Sequence, residues 1–556
     1  MRNTVIKAVM LAGLLAPIAR APLQAQSAAL VAATDLVYAD IDLLSELGVL
    51  DSVIVGQRPY SRREIGRIVR IARVRMEGSR SARTSRLSDE ATAFADQVLR
   101  RVESRFPAAP IDPSKEDPVV SPLDGASLSF LSTGADRRGF PGPGTMLTEA
   151  TIDPLAERRL GKPAVRGQTT ALELSQLVAP AGWLAFQARE RVEYRRPYDS
   201  TLKQTDGEIL LASARARYRN VAVMVGRQEF AWAQSAGDGL FLSSNSPALD
   251  QISITSDHPF VLPWLFRLLG PTQGTLVLAD LGHSVVRSGS RLLAYKVSIQ
   301  PSDAIEFGGT FMDHYLGDGH RPSSFTNQLI DFLPFIDVFR HHNYTDPTHE
   351  FDVDSDKLLG VDGRVRIDAL GGVTLTGELL IDDFDKNRIR YLVTSSGSST
   401  FALIVPQLGS PALSLKLSAK HMGIGTYTHT ELTNGITTRG RLLGDELGPD
   451  AKGYSAKLRW SPGAEMVFEL EGASAIYSNA TYRSFYSDPA QTLFELYKDS
   501  HGTDELRDRL VGKLTLLGAE DVALTMRAGV ERIRNAFFTG GGRHDYVAEI
   551  ALRLGM

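Results

Sequence analysis

Apolar and charged side chains alternate every second residue through most of the chain, from about residue 182 to the C-terminus. In residues 454–460, Tyr, Ala, Leu and Trp share one parity, whereas Ser, Lys and Arg share the other. Successive side chains of a β-strand point to opposite faces, so each such segment predicts a strand with one apolar and one ionic face. The pattern recurs in residues 361–369, 373–382, 413–420, 464–471, 522–531 and 546–554.

The ionic face is dense in Arg, Lys, Glu and Asp, whereas the polar face of a soluble sandwich usually mixes Ser, Thr and Lys. This pattern is typical of an outer-membrane barrel, with apolar side chains toward lipid and polar ones toward the lumen. Strands of about 9–11 residues plus turns fit the roughly 430 residues from position 123 onward. The sequence therefore predicts an all-β transmembrane barrel at 123–556, with about 16–18 antiparallel strands and 18 preferred.

The first 25 residues predict a secretory signal peptide. Arg2 and Lys7 are positive, residues 8–19 are apolar, and residues 23–25 (Leu-Gln-Ala) offer a cleavage site. Nowhere else do about 18 apolar residues follow one another, so no transmembrane helix is expected. Together with the alternation, this predicts a protein of the bacterial outer membrane.

Residues 26–106 predict a small helical bundle. Leu36, Ile41, Leu44 and Leu47 follow helical spacing before Gly48. Residues 61–64 (Ser-Arg-Arg-Glu) fit a capping box, and a third amphipathic segment opens at residues 88–90 (Ser-Asp-Glu). Residues 107–122 contain five prolines and predict a linker.

The composition narrows the possible chemistry. The chain has no cysteine, which excludes disulfides and thiolate ligands or nucleophiles. Its formal net charge of −4 does not favour nucleic-acid binding. A His-Glu-x-x-His helix, a complete EF-hand loop and a Gly-x-Ser-x-Gly elbow do not occur in the sequence. We therefore expect no metal site, no cofactor, no catalytic residue and no enzymatic activity.

Residues 226–232 (Gly-Arg-Gln-Glu-Phe-Ala-Trp) combine a guanidinium, an amide, a carboxylate and an indole. Sugars are bound by such mixtures of aromatic faces and fixed polar groups. Alternatively, Arg227 and Glu229 are paired lumen charges and Trp232 belongs to the interfacial aromatic girdle. Other polar residues at strand ends or in loops are either glycan contacts or solvated charges. The candidate glycan-binding residues are Arg227, Gln228, Trp232, Asp238, Arg321, Asp382 and Asp383.

Several motifs follow one another along the chain, at residues 38–48, 58–65, 226–232, 238–245, 263–264, 269–271, 294–301, 317–322 and 378–383. Their order resembles the capsule assembly Wzi family of outer-membrane proteins. The resemblance implies a barrel of about eighteen strands, a helical bundle that plugs its periplasmic end, and a lectin that anchors capsular polysaccharide. The chain departs from the usual barrel ending, because residues 552–556 (Leu-Arg-Leu-Gly-Met) lack a terminal aromatic residue.

Three functions are compatible with the sequence. The first is a non-enzymatic, lectin-like role in capsule assembly, the second is a porin or plugged channel for oligosaccharides or other solutes, and the third is an outer-membrane hydrolase. The helical segment favours a closed barrel, because an open porin needs no such plug. The expected partners are surface polysaccharide, outer-membrane lipid and lipopolysaccharide, and we expect a monomer.

Overall fold

The protein forms one large closed barrel that contains a helical bundle. The computed structural model describes residues 27–82, 87–109, 118–135, 137–140, 150–152, 155, 160–161, 165–199, 204–234, 239–282, 288–315, 317–318, 328, 332–333, 355–382, 397–428, 435–486, 494–518 and 521–555. Within these residues eighteen antiparallel strands close the barrel, and the two-residue strand Phe260–Val261 extends one edge of the same sheet. The predicted fold class is confirmed.

The first nine barrel strands are β1 Val119–Thr133, β2 Gly167–Ala181, β3 Leu184–Pro197, β4 Gln204–Tyr218, β5 Val221–Gln228, β6 Leu249–Ser256, β7 Pro271–Asp280, β8 Arg291–Ser302 and β9 Ile305–Tyr315. The second nine are β10 Ser355–Ile367, β11 Val373–Asp382, β12 Ser398–Val405, β13 Leu413–Met422, β14 Ala451–Gly463, β15 Met466–Tyr477, β16 Glu505–Leu517, β17 Val522–Arg534 and β18 Gly542–Leu554.

The sheet closes because the last strand pairs with the first. β1 runs antiparallel to β18, with Ala126 opposite Leu554 and Thr133 opposite Val547. Each of the other strands pairs with its neighbours along the chain. A closed sheet leaves no strand edge without a hydrogen-bonded partner, which a bilayer requires. β18 keeps its pairing up to Leu554 without a terminal aromatic residue.

The alternation in the sequence corresponds to the two faces of the wall. On β5, Val221, Val223 and Val225 are exposed on the outside, whereas Ala222 and Met224 are buried. On β10, Asp362, Arg364 and Arg366 are buried inside the barrel. β5 ends at Gln228, because the chain leaves the wall there and enters the lumen.

The two ends of the barrel differ in the length of their connections. Two residues join β2 to β3, β4 to β5, β8 to β9 and β14 to β15, whereas the opposite end carries connections such as 134–166, 229–248 and 423–450. In bacterial outer-membrane barrels the short turns face the periplasm and the long loops face outward. We call these the periplasmic and the outer end.

Three helices precede the barrel, as predicted. They are α1 Val37–Glu46, α2 Arg62–Ala82 and α3 Asp89–Arg105. Ser61 Oγ accepts a hydrogen bond from the backbone N–H of Glu64 at 3.1 Å, and Ser88 Oγ accepts one from Ala91 at 3.1 Å. These caps satisfy N–H groups that have no partner within the helix. The apolar faces of the helices form one core, which includes Ile41, Leu44, Ile65, Ile68 and Leu99.

The helical bundle blocks the periplasmic end of the barrel through charged contacts. Arg101 on α3 and Arg459 on β14 both donate to the Asp40 carboxylate, at 2.5 and 2.8 Å. Arg101 also donates to the carbonyl of Ala464, in the turn between β14 and β15. Arg105 pairs with Asp35 at 2.8 Å. The two arginines hold the pKa of Asp40 below its ordinary value against the opposing effect of burial.

Two long loops fill the barrel from the outer end. Loop L3 (residues 229–248) and loop L7 (residues 423–450) contribute buried side chains to a core inside the lumen. These include Trp232, Leu240, Phe241, Tyr427 and Leu443. Tyr427 Oη donates to the carbonyl of Leu240 at 2.6 Å, which joins the two loops. In the described part of the chain the lumen therefore holds a bundle at one end and packed loops at the other.

Other predicted segments lie partly or wholly outside the described residues. The signal peptide at 1–25 lies outside them and stays a prediction, as do the exact domain boundaries. Half of the predicted linker (107–122) also lies outside, and β1 already begins at Val119. No helix in the described residues is long and apolar enough to cross a membrane.

Glu46 gives the bundle a predicted pH dependence. Burial at the end of α1 raises the pKa of Glu46 from 4.5 to about 7, although Arg364 lowers it in part. The docked bundle therefore binds a proton that the unfolded bundle releases between these two values. The contribution of Glu46 to stability is complete below pH 4.5 and is lost as pH rises through about 7.

The substitution Glu46→Gln should remove this loss. The variant should unfold at the same temperature as the natural protein at pH 5 and at a higher temperature at pH 8, measured by helical circular dichroism in detergent. Glu90→Gln on the exposed side of α3 is the control and should behave like the natural protein. An equal shift at both pH values would contradict the role of Glu46.

Candidate functional site

The candidate site is the middle of the lumen, where the bundle meets loop L3. Residues 53–60 lie in the connection between α1 and α2 and form a finger that extends into the barrel. The backbone of Arg58 exchanges two hydrogen bonds with that of Ala231, both at 3.1 Å. The plug from the periplasmic end and the plug from the outer end are therefore joined by a short antiparallel bridge.

The finger is held by side chains of the barrel wall. The Glu306 carboxylate on β9 accepts hydrogen bonds from the backbone N–H groups of Val55 and Gly56, each at 2.8 Å. Gln57 donates to the carbonyl of Gln273 at 3.0 Å and to Ser298 Oγ at 2.9 Å. A carboxylate that accepts two backbone N–H groups forms strong, charge-assisted hydrogen bonds.

A buried ion pair lies beside the finger. Lys296 on β8 pairs with Asp362 on β10, and both side chains are almost completely buried. Gln234 of loop L3 donates to both Asp362 and Glu306, so the loop, the wall and the finger share one polar network. Breaking a buried pair by removing one partner typically costs about 3–5 kcal/mol, because the remaining charge stays uncompensated. The network therefore favours one docked position of both plugs.

The predicted residue Arg227 lies on the outer face of the wall. It shares parity with the exposed valines of β5, and its guanidinium pairs with Asp250 through two hydrogen bonds, at 2.8 and 2.6 Å. Arg227 also donates to the carbonyl of Ile209 at 3.1 Å. It is thus a paired charge, but it faces away from the lumen.

Gln228 and Trp232 lie inside the barrel. Gln228 Oε1 accepts from Gln187 Nε2 at 3.1 Å, and its carbonyl accepts from Gln251 at 2.7 Å. Trp232 is 0% exposed, with its ring 6.1 Å from that of Phe230. Its backbone N–H donates to the carbonyl of Leu242 at 2.9 Å. Trp232 is therefore part of the loop core and does not belong to the interfacial girdle, which was the alternative for this residue.

Asp382 on β11 contacts the same loop core from the barrel wall. It is buried at the end of β11, and its carboxylate accepts the backbone N–H of Tyr427 at 2.7 Å. The structure thus brings Trp232 and Asp382 to one packed unit, whereas Arg227 faces outward. Asp238, Arg321 and Asp383 lie outside the described residues.

Glu229, within the segment 226–232, connects the wall to the N-terminal segment. Its carboxylate accepts the backbone N–H of Ala33 at 2.7 Å. Burial raises the pKa of Glu229 to about 6. The finger was not predicted, because residues 53–60 carry neither a helical nor a strand period; the capping Ser61 marked only its end.

The outer end also carries an exposed hairpin outside the wall, formed by strands Ala480–Tyr486 and Phe494–Ser500. Arg483 and Tyr497 are opposite each other on one face, with the guanidinium carbon 5.7 Å from the ring centroid. Both side chains are exposed, and Arg483 also contacts Asp499 at 3.4 Å. An open aromatic ring beside a cation can contact a sugar face and an acidic group together.

Among the described residues, no group of three or more His, Asp or Glu side chains is arranged to hold a metal ion. Two small clefts lie between the N-terminal segment and the wall, with volumes of about 70 and 100 Å³. Both are lined by Ala32, Asp35 and Arg189.

Comparison with known proteins identifies one family. The family model described as capsule assembly protein Wzi matches residues 140–541, which is more than half of the chain. No curated protein matches the sequence.

The structure is similar to that of Wzi of Escherichia coli, which is described as an outer membrane protein involved in group 1 capsule assembly and as a carbohydrate-binding β-barrel. The TM-score is 0.65 at 14% identity, over 95% of this chain and 100% of that one. OccAB2 of Acinetobacter baumannii has a TM-score of 0.42 at 14% identity, over 78% and 98% of the two chains. OprD of Pseudomonas aeruginosa has a TM-score of 0.40 at 9% identity, over 80% and 96%. The first similarity supports the fold, and the other two are too weak to support an argument.

Gly56 tests whether the finger seals the lumen. A Cβ atom at this position would lie 2.6 Å from Gln234 Nε2 and 2.8 Å from Glu306 Oε1, so in Gly56→Ala both side chains must shift, which disrupts the hydrogen bonds by which Glu306 holds the finger. We expect low single-channel conductance in planar bilayers for the natural protein and a higher conductance for this variant.

Gly78→Ala is the matched control, since a Cβ atom there would meet nothing within 4 Å. It should leave conductance low. If Gly56→Ala conducts no better than Gly78→Ala, the finger does not form the seal.

Proposed function

Because this chain belongs to the capsule assembly protein Wzi family, we propose that it is a non-enzymatic lectin of the outer membrane that retains capsular polysaccharide at the cell surface. The protein is a large outer-membrane β-barrel. The observation that carries the proposal is the double plug, in which Arg58 of the finger and Ala231 of loop L3 meet inside the lumen. The bridge, the bundle and the packed loops occupy the middle of the described lumen, so we place the contacts with polysaccharide on the outer loops.

The predicted binding residues divide into two roles under this proposal. Arg227, Asp238, Arg321 and Asp383 are candidates for direct contact with the polymer. Gln228, Trp232 and Asp382 are buried, and they would act by holding loops L3 and L7 in a fixed shape. The exposed hairpin adds Arg483 and Tyr497 as further candidates for direct contact. Many weak contacts of this kind suit a long repetitive polymer, because each repeat can bind in turn.

The related Wzi of Escherichia coli is described as a carbohydrate-binding β-barrel, which supports polysaccharide as the ligand class. Contacts with lipopolysaccharide and the monomeric state remain predictions.

A solute channel is the second candidate function. The two clefts beside the bundle favour it, because the charged side chains of Asp35 and Arg189 line both of them. A steady, large conductance of the natural protein would support the channel, and low conductance would support the lectin. Deletion of the bundle should raise conductance under either function.

Tyr497 offers a direct test of the lectin. In a deletion strain complemented with Tyr497→Ala, we expect less cell-bound and more released polysaccharide than with the natural protein, while total synthesis stays unchanged. The physical reason is the loss of one exposed aromatic face from the outer hairpin. Arg227→Ala should act in the same direction, since it breaks the pair with Asp250.

Tyr218→Ala is the control for Tyr497→Ala. Tyr218 is also exposed and also lies under an arginine, with the Arg219 guanidinium carbon 5.4 Å from its ring, but it lies at the periplasmic end. It should leave retention unchanged. Retention that is equal with and without the whole protein would rule out the capsule role.

A further inference from the structure

A short apolar helix at the periplasmic end lies outside the barrel wall. The six residues Trp264–Leu269 (Trp-Leu-Phe-Arg-Leu-Leu) form a 3₁₀ helix between β6 and β7. Gly270 ends the helix with φ +69°, and a Cβ atom there would lie 2.0 Å from the carbonyl oxygen of Gln300. The end of the helix is thus pressed against β8, and its position is fixed by the wall.

The apolar side chains of this helix are largely exposed. Trp264 is 89% exposed, Leu265 80% and Leu268 78%, and Phe266 is also exposed. No residue of the helix is buried. A contiguous apolar surface of this kind on a folded protein marks an interaction site, because water does not favour it.

This surface continues the lipid-facing wall of the barrel. Phe260 and Val261 pair with Thr272 and Pro271, which extends the β6–β7 hairpin down to the helix. Both Phe260 and Val261 are exposed. Above them Val221 and Ile254 face outward on β5 and β6. The exposed helix therefore forms the periplasmic end of an apolar strip on the lipid-facing side of the wall.

The composition at this level indicates a membrane boundary. Three of the four tryptophans, Trp183, Trp264 and Trp460, are exposed near periplasmic turns, whereas Trp232 is buried in the lumen. Tryptophan is enriched at the interface between hydrocarbon and headgroups, where its ring meets lipid and its N–H meets water. Arg267, in the middle of the helix, can extend its long side chain toward lipid phosphates.

We propose that residues 264–269 form an interfacial anchor, which inserts its apolar side chains into the periplasmic leaflet of the outer membrane and sets Arg267 against phospholipid phosphates. The anchor fixes the depth and tilt of the barrel on the side of β6–β8. It does so beside strands β5 and β6, each of which has eight residues, whereas β2 and β4 have fifteen. A wall of short strands spans less hydrocarbon, and the helix extends its apolar surface at the periplasmic end. This inference is independent of polysaccharide binding.

Tryptophan fluorescence in liposomes made only of phospholipid tests the anchor. The double variant Trp183→Phe/Trp460→Phe is compared with the triple variant that also carries Trp264→Phe, and the difference spectrum belongs to Trp264. We expect blue-shifted emission for Trp264, with stronger quenching by lipids brominated near the headgroup end of the acyl chain than by those brominated near its terminus. The signal of Trp232 in the triple variant is the unquenched reference.

Emission at the wavelength of a water-exposed indole, without quenching by either lipid, would overturn the proposal. If the blue shift then appeared only after addition of a periplasmic protein extract, the helix would be a protein-docking surface, which also contradicts the anchor. Because Trp264→Phe keeps an aromatic ring, the variants should fold, and heat-modifiable migration in detergent gels checks that they do.

A second measurement uses charge. Leu265→Asp and Leu268→Asp should lower the fraction of protein that inserts into liposomes, because each places a carboxylate in the interface. Asp280, at the outer end of β7, is already exposed, so Asp280→Asn is a control that should insert normally. Normal insertion and normal quenching of Trp264 in both aspartate variants would show that the helix does not enter the leaflet.

Discussion

The pairing of β1 with β18 is the interaction on which the rest of the structure depends. It converts a row of strands into a closed sheet, so that every strand has two hydrogen-bonded neighbours in a medium that offers none. Closure also fixes the inside and the outside of each strand. The lumen therefore receives the ionic side chains, such as Lys296 and Asp362, and the lipid receives the apolar ones.

A wide polar lumen creates a second requirement, because eighteen strands enclose more space than wall side chains can fill. The chain meets it with the helical bundle from the periplasmic end and with loops L3 and L7 from the outer end. Glu306 binds the finger, Gln234 of loop L3 donates to Glu306, and Asp382 holds loop L7. These contacts turn a potential pore into a solid support for outer loops, which suits a protein that binds at the surface.

The sequence predicted the parts of the fold that depend on local pattern. Alternation located the strands, and Ser61 and Ser88 marked the helix starts because capping involves neighbours in the chain. It did not predict the finger or its partners, since Val55 and Glu306 are far apart in sequence and meet only inside the closed barrel. The same limit applies to Trp232. The two-residue alternation no longer indicates the inner or outer face once the chain leaves the wall at Gln228. The outward position of Arg227 could have been predicted, because Arg227 shares parity with Val221, Val223 and Val225.

The central claim is that the lumen stays closed while the protein works, and a reversible crosslink tests it most directly. The chain has no cysteine, and Arg58 and Ala231 face each other across an antiparallel bridge, a separation that suits a disulfide. The purified variant Arg58→Cys/Ala231→Cys is assayed for polysaccharide binding in its oxidised form and again after reduction, so that the effect of the two substitutions cancels. The account predicts equal binding in both forms, because the joined plugs never need to separate. Binding that is lost on oxidation and restored by reduction would contradict it.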